Sequence, residues 1–235
     1  MFHVEELSKR YKDMTVLDGI DWRIERGEFA ILTGRSGGGK TTLLSVIGGL
    51  ARPDAGRVLL DDVEIWKLSE PELAFVRNSK LGFVFQFPSL LPALTVLDNI
   101  LLPIAFSGRS PNREDRDYAI SLLEMVGING KETHYPSQLS GGQQRRAAIA
   151  RAMINRPSIL LADEPTGDLD EKTEAEIMRL FQRINQQGTT LVMVTHASDY
   201  TGFGNAYTLK GGRLLPYEEA EVNPAGAAQG GRYTA

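Results

Sequence analysis

"GRSGGGKT", Gly34–Thr41, follows the apolar run "FAILT" (Phe29–Thr33) and precedes "TLLSVIGGL" (Thr42–Leu50). It fits G-x-x-x-x-G-K-[ST] in the strand–loop–helix setting that this pattern requires. Its glycines let backbone N–H groups turn inward onto phosphate oxygens, and the helix start adds partial positive charge. Lys40 is spaced to reach the β- and γ-phosphates of a nucleotide, and the Thr41 hydroxyl to bind Mg²⁺. A plain flexible turn is the weaker reading, because both flanks match.

Three further runs resemble "FAILT": "LGFVFQ" (Leu81–Gln86), "SILLADE" (Ser158–Glu164) and "TTLVMVTH" (Thr189–His196). Each is apolar nearly throughout, as strands buried on both faces are. Helical patterns separate them, which predicts βαβ units, an α/β fold and a largely parallel sheet. Each run ends in glycine or a polar group: Gly34, Gln86, the Asp163–Glu164 pair and His196. Ligands of open α/β sheets sit beyond the carboxyl ends of the strands. Four strands therefore deliver chemistry to one edge.

The segment from about 88 to 156 reads as a helical insertion. "NREDRDYAISLLEMVG" (Asn112–Gly127) has helical apolar spacing and a terminal glycine, and a second helix is predicted after Ser140. "VLDGIDWRIERGE" (Val16–Glu28) and "GRVLLDDVEIW" (Gly56–Trp66) alternate as antiparallel strands do. From Glu218 onward little can be buried, and 218–235 reads as a disordered tail.

The 235 residues suffice for one large domain or two small ones, and the net charge of −4 argues against a general nucleic-acid binder. There is no cysteine, hence no disulfide framework, which fits a cytosolic setting. "MFHVEELSKRYKD" is charged from the fifth residue and does not read as a secretion signal. No run reaches the roughly 18 apolar residues of a membrane span. The most apolar stretch, Leu81–Phe106, is interrupted by Gln86, Pro88, Pro92, Asp98, Asn99 and Pro103.

Asp163 and Glu164 end a buried strand, where two unpaired carboxylates would be costly. A metal ion and a water answer that cost: Asp163 is placed to hold Mg²⁺ through its shell, and Glu164 to polarise the water that attacks a γ-phosphate. "LSGGQ" (Leu139–Gln143) offers Ser140 as a helix N-cap, with Gly141 and Gly142 leaving N–H groups exposed, a second anion site. Taken singly, Tyr11, Gln86 and His196 read as structural residues.

The order of these motifs, with "ILLADEP" and "GDLD" (Gly167–Asp170), resembles the nucleotide-binding subunit of an ABC transporter over residues 1–215. The resemblance implies a P-loop NTPase core at about 1–87 and 157–217, with an N-terminal antiparallel β subdomain and the inserted helical subdomain. It implies that Gly34, Arg35, Ser36, Gly37, Gly38, Gly39, Lys40, Thr41 and Thr42 bind ATP. Tyr11 matches the aromatic just before the family's first strand, which stacks on adenine. Gln86 matches the Q-loop glutamine and joins Thr41 and Asp163 at Mg²⁺. Glu164 matches the catalytic glutamate, His196 the switch histidine and Asp170 the D-loop aspartate.

The second glycine loop then has a role. The resemblance implies a head-to-tail homodimer around two ATP molecules, in which Ser140, Gly141, Gly142 and Gln143 of one copy cap the nucleotide held by the other. "FVFQFPSLLPALTVLDNILLP" and "ADEPTGDLD" are similar to the branch with lipoprotein-releasing, macrolide-exporting and cell-division ATPases. That branch implies a peripheral subunit at the cytoplasmic face, working on an integral membrane permease subunit; regulation without cargo transport is the alternative. Arg35 stands where proline is usual, Gly38 where serine is common, and Asp168 where asparagine is frequent. DNA-repair ATPases of the same fold need a longer insertion than this chain has.

Overall fold

The computed structural model describes residues 2–196 and 198–217. From the N-terminus, β1 (Phe2–Tyr11), β2 (Met14–Ile24) and β3 (Phe29–Gly34) lead into α1 (Lys40–Ile47). β4 (Ala55–Leu60) and β5 (Val63–Glu64) precede α2 (Glu70–Lys80) and β6 (Leu81–Val84). Three helices follow: α3 (Val96–Phe106), α4 (Arg113–Met125) and α5 (Gly141–Met153). β7 (Ile159–Asp163), α6 (Glu171–Gln186), β8 (Thr190–Val194), β9 (Asn205–Lys210) and β10 (Arg213–Pro216) complete the described chain.

The four apolar runs form four adjacent strands, β3-β8-β7-β6, of a six-stranded sheet ordered β10-β9-β3-β8-β7-β6, with β6 at its edge. Its pairings from β9 to β6 are parallel and only the β9–β10 hairpin is antiparallel. The runs are apolar throughout because successive residues enter different cores. In β3, Phe29 and Ile31 pack with the helices, whereas Ala30 and Leu32 pack toward α1 and the second sheet. β8 divides the same way, with Leu191 and Met193 on one side and Val192 and Val194 on the other.

The second sheet is antiparallel, β2-β1-β4-β5, as the alternation in 16–28 and 56–66 predicts. Its central strand, β1, was hidden by irregularity. The alternation of Phe2 and Val4 jumps to Leu7, because the register shifts between Val4 and Leu7 and Glu6 takes a positive φ of 47°. An extra residue in one strand flips every later side chain, so a bulged strand loses its period of two. Tyr11 is therefore the last residue of β1, not a residue before the first strand.

α3, α4 and α5 share one apolar core with a face of the parallel sheet, through Val96, Ile100, Leu122, Leu123, Ile149 and Met153. Their starts are written locally. Thr95 caps α3 and Asn112 caps α4, each accepting a backbone N–H from three residues on. The interrupted stretch Leu81–Phe106 resolves into β6, a loop and α3. Buried Asn99 ties that loop to the helix: its amide donates to the carbonyls of Leu91, Leu94 and Thr95 (3.1, 3.2 and 2.9 Å), and its Oδ1 accepts from Leu91 N (2.7 Å). The stretch 218–235, expected to be a tail, lies outside the described residues. Among the described residues no helix is long and apolar enough to cross a membrane.

Candidate functional site

The loop between β3 and α1 turns on Gly39, the N-cap of α1, whose φ of 98° is open to glycine and hardly to any other residue. A Cβ there would lie 2.8 Å from Val16 Cγ1 and 3.1 Å from the Val16 carbonyl oxygen. No side chain caps α1 and its first turn carries no acid, so its N–H groups are left for an anion.

Ser36, Gly37, Gly38, Gly39, Lys40, Thr41 and Thr42 line a cleft of about 370 Å³ with Tyr11, Gln86, Glu164 and His196. The strand ends thus converge as the sequence predicts. Lys40 is buried and donates to the carbonyls of Gly34 (2.9 Å) and Arg35 (3.1 Å). Its Nζ also lies 3.4 Å from His196 Nδ1. Thr41 Oγ1 donates to Asp163 Oδ1 at 3.2 Å. Glu164 bridges the rest: one oxygen is 2.6 Å from His196 Nε2, and the other accepts from Gln86 Nε2 at 3.3 Å. Glu164 holds a φ of 45°, sparsely populated for a non-glycine residue and the kind of strain found at active sites. Its N–H donates to the Val194 carbonyl (2.9 Å), which fixes that turn against β8.

Burial pushes the Lys40 ammonium below its ordinary value, with Glu164 and Asp163 acting the other way. Burial also raises Asp163, opposed by the Thr41 hydrogen bond and reinforced by the charge of Glu164. A cation beside Asp163 would relieve this. Among the described residues no cluster of three or more His, Asp or Glu could hold a metal alone. That suits Mg²⁺, which takes one or two protein oxygens and completes its shell with phosphate and water. Thr41 Oγ1 and Asp163 Oδ1 are placed together to supply such oxygens, and Thr41 shares its cleft with the Gln86 amide.

The second glycine loop, Leu139–Gln143, which is the signature segment of the family pattern, lies elsewhere. Ser140 caps α5: its Oγ accepts from Gln143 N (3.3 Å) and Gln143 Oε1 accepts from Ser140 N (3.0 Å). Ser140 and Gly141 are exposed, and neither they, Gly142 nor Gln143 line the cleft. Asp170 is also outside it, capping α6 through Thr173 N (3.1 Å) and Thr173 Oγ1 (2.6 Å). Arg35 contributes its carbonyl rather than its side chain to the loop. Met14 and Val16, which sequence reasoning missed, line the cleft beside Tyr11. Met14 pairs with Tyr11 across the β1–β2 turn. Met14 is 63% exposed, and its place beside the cleft is visible only once the turn is placed.

The family model described as "ABC transporter" matches residues 17–167. The chain is 46% identical over 207 residues to an uncharacterised ABC transporter ATP-binding protein of Thermotoga maritima, covering 88% of each. It is 45% identical over 192 residues to the lipoprotein-releasing system ATP-binding protein LolD 1 of Chlorobium chlorochromatii, covering 81% of this chain and 78% of that one. It is 48% identical over 206 residues to the macrolide export ATP-binding/permease protein MacB of Rhodopirellula baltica, covering 85% of this chain but 30% of that protein. Among solved structures, a dimeric ATP-binding cassette in a post-hydrolysis state, bound to ADP and Pi, is 39% identical with a TM-score of 0.84, covering 92% of this chain and 98% of that one. A Mg²⁺-dependent ATPase site on this scaffold is what the geometry describes, and the chain belongs to the ABC transporter family as an ATP-hydrolysing cassette.

Proposed function

We propose that this cassette is the motor of a membrane complex, closing head-to-tail with a second copy around two Mg-ATP and driving a permease subunit. The observation that carries the proposal is the chain Gln86–Glu164–His196–Lys40 at the mouth of the phosphate loop. ATP hydrolysis moves the γ-phosphoryl group to water and breaks its bond to the ADP oxygen. Glu164 accepts the water's proton, Gln86 and His196 hold its two oxygens, and Lys40 leaves its carbonyl partners for the β- and γ-phosphates. Thr41, Asp163 and Gln86 would hold a Mg²⁺ ion, which would offset the negative charge of the phosphates. Tyr11 stacks on the base, with Lys9 Nζ 5.3 Å from its ring centroid.

The exposed signature loop supports the dimer. Ser140, Gly141, Gly142 and Gln143 present a capped helix start away from their own cleft, and in a head-to-tail pair they cap the other copy's ATP, with Asp170 beside them. An apolar groove supports the permease. Leu50, Phe83, Phe85, Leu102, Pro103 and Phe106 line about 520 Å³ of it, and Phe106 is 74% exposed. A helix of the permease subunit fits such a groove. The relatives named for lipoprotein release and for macrolide export support transport of that kind, with the cassette peripheral at the cytoplasmic face. The ATPase core is 1–87 with 157–217, and 88–156 is the helical subdomain.

Glu164→Gln keeps the shape of the side chain and loses its basicity. It should abolish turnover yet sediment as a dimer in Mg-ATP. Hydrolysis at the wild-type rate removes Glu164 from its role.

A further inference from the structure

Arg145 is a charged side chain the chemistry above does not use. It lies one turn into α5 and is only 4% exposed. No carboxylate pairs with it at contact distance among the described residues. Its Nη1 donates to the Phe85 carbonyl at 2.7 Å, and its buried Nε has no partner. A buried guanidinium bound to a backbone carbonyl is an expensive way to fill space, since an apolar side chain would do so without desolvation. Burial pushes Arg145 below its ordinary value, and Asp168, in the turn after Glu164, acts against that.

The carbonyl it holds belongs to the residue immediately before Gln86. Two turns along the same helix, Arg151 donates to the carbonyls of Ser89 (2.7 Å) and Pro88 (2.9 Å), just after Gln86. The loop is thus held on both sides of Gln86 from one helix. Its backbone needs holding, because Ser89 takes a φ of 47°. The helix itself is seated closely on β6: a Cβ on Gly82 would lie 2.5 Å from the Ala152 carbonyl oxygen. Two planar donors keep the loop in register with α5, whose first residues are the signature glycines.

We propose that Arg145 and Arg151 are positioning residues for Gln86, clamping its loop to the signature helix so that the amide meets Glu164 only while that helix is correctly placed. The signature loop that caps one copy's ATP is thereby tied to the Gln86 of its own cleft. The proposal rests on the catalytic reading of Gln86 and Glu164 given above.

The test is a double-mutant cycle on the full chain. Arg145→Met should lower kcat by about tenfold to a hundredfold, the loss typical of a displaced catalytic group, with KM for Mg-ATP little changed. Arg145→Lys, which keeps one donor for the Phe85 carbonyl, should recover part of the rate. In a Gln86→Ala background Arg145→Met should have little further effect, because the group it positions is gone. Amide exchange across 85–91 should speed up in Arg145→Met while α5 stays protected, a readout independent of turnover. Wild-type kcat in Arg145→Met, an equal loss in both backgrounds, or unchanged exchange across 85–91 overturns the clamp. A Gln86→Ala chain with wild-type kcat instead overturns the reading of Gln86.

Discussion

Asn99→Asp should cost about 4 kcal/mol of stability at pH 7, and the cost should depend on pH. The carboxamide at 99 is fully buried and donates to three carbonyl oxygens while accepting one N–H. A carboxylate has the same shape but no donor, and it would face those three oxygens with a negative charge. It escapes by binding a proton, which restores one donor. Holding an aspartate protonated at pH 7 costs about 1.36 kcal/mol for each of the roughly three units above its ordinary pKa, or about 4 kcal/mol. The folded-state pKa of the new acid is raised. Its penalty is therefore small below the unfolded value near 4 and grows as pH rises toward the folded value. Urea unfolding of both chains should show a gap of about 4 kcal/mol at pH 7 that shrinks by about 2.7 kcal/mol at pH 5. A gap under about 1 kcal/mol that does not move with pH would refute the reasoning.

Asp115 tests the opposite sign. The Arg109 guanidinium and the backbone N–H of Asn112 hold its carboxyl down to about 2, so its contribution is complete above the ordinary carboxylate range and is lost as pH falls toward that value. An NMR titration of the Asp115 carboxyl should show that low midpoint, and a midpoint near 4 contradicts the contacts. Gly39→Ala forces a side chain into a φ of 98° against Val16 and Leu17. Strain of about 1–3 kcal/mol in the phosphate loop should weaken Mg-ATP binding by about 5- to 150-fold in a titration, and affinity within twofold of wild type contradicts it.

The parts of the fold written in contiguous patterns were legible. "FAILTGRSGGGKT" carries strand, loop and helix start together, and both core faces of β3 follow from its unbroken apolar run. Ser140 and Asn112 announce their helices because capping is a local interaction between residues three apart. The helix over 70–80 went unread, although Ser69 and Glu72 form a capping box, an equally local signal. What depended on register or distance was not legible. β1 hides behind its bulges, and with it the position of Tyr11 and the partnership of Met14. β9 and β10 are short strands whose place is set by pairing with β3 and with each other. The site follows the same division. Lys40, Thr41, Asp163 and Glu164 stand in motifs, whereas Arg145 holds Phe85 across 60 positions of sequence and Asn99 looks like one more interruption of an apolar run.

The central claim is that each ATP is held by the phosphate loop of one copy and the signature loop of the other. Mixing a Ser140→Ala chain with a Lys40→Ala chain tests it most directly, because only a mixed pair contains one site with both elements intact. Random pairing makes half the dimers mixed, each with one working site of two, so an equal mixture should recover about a quarter of wild-type ATPase activity. A mixture no more active than the two variants measured apart would contradict the account.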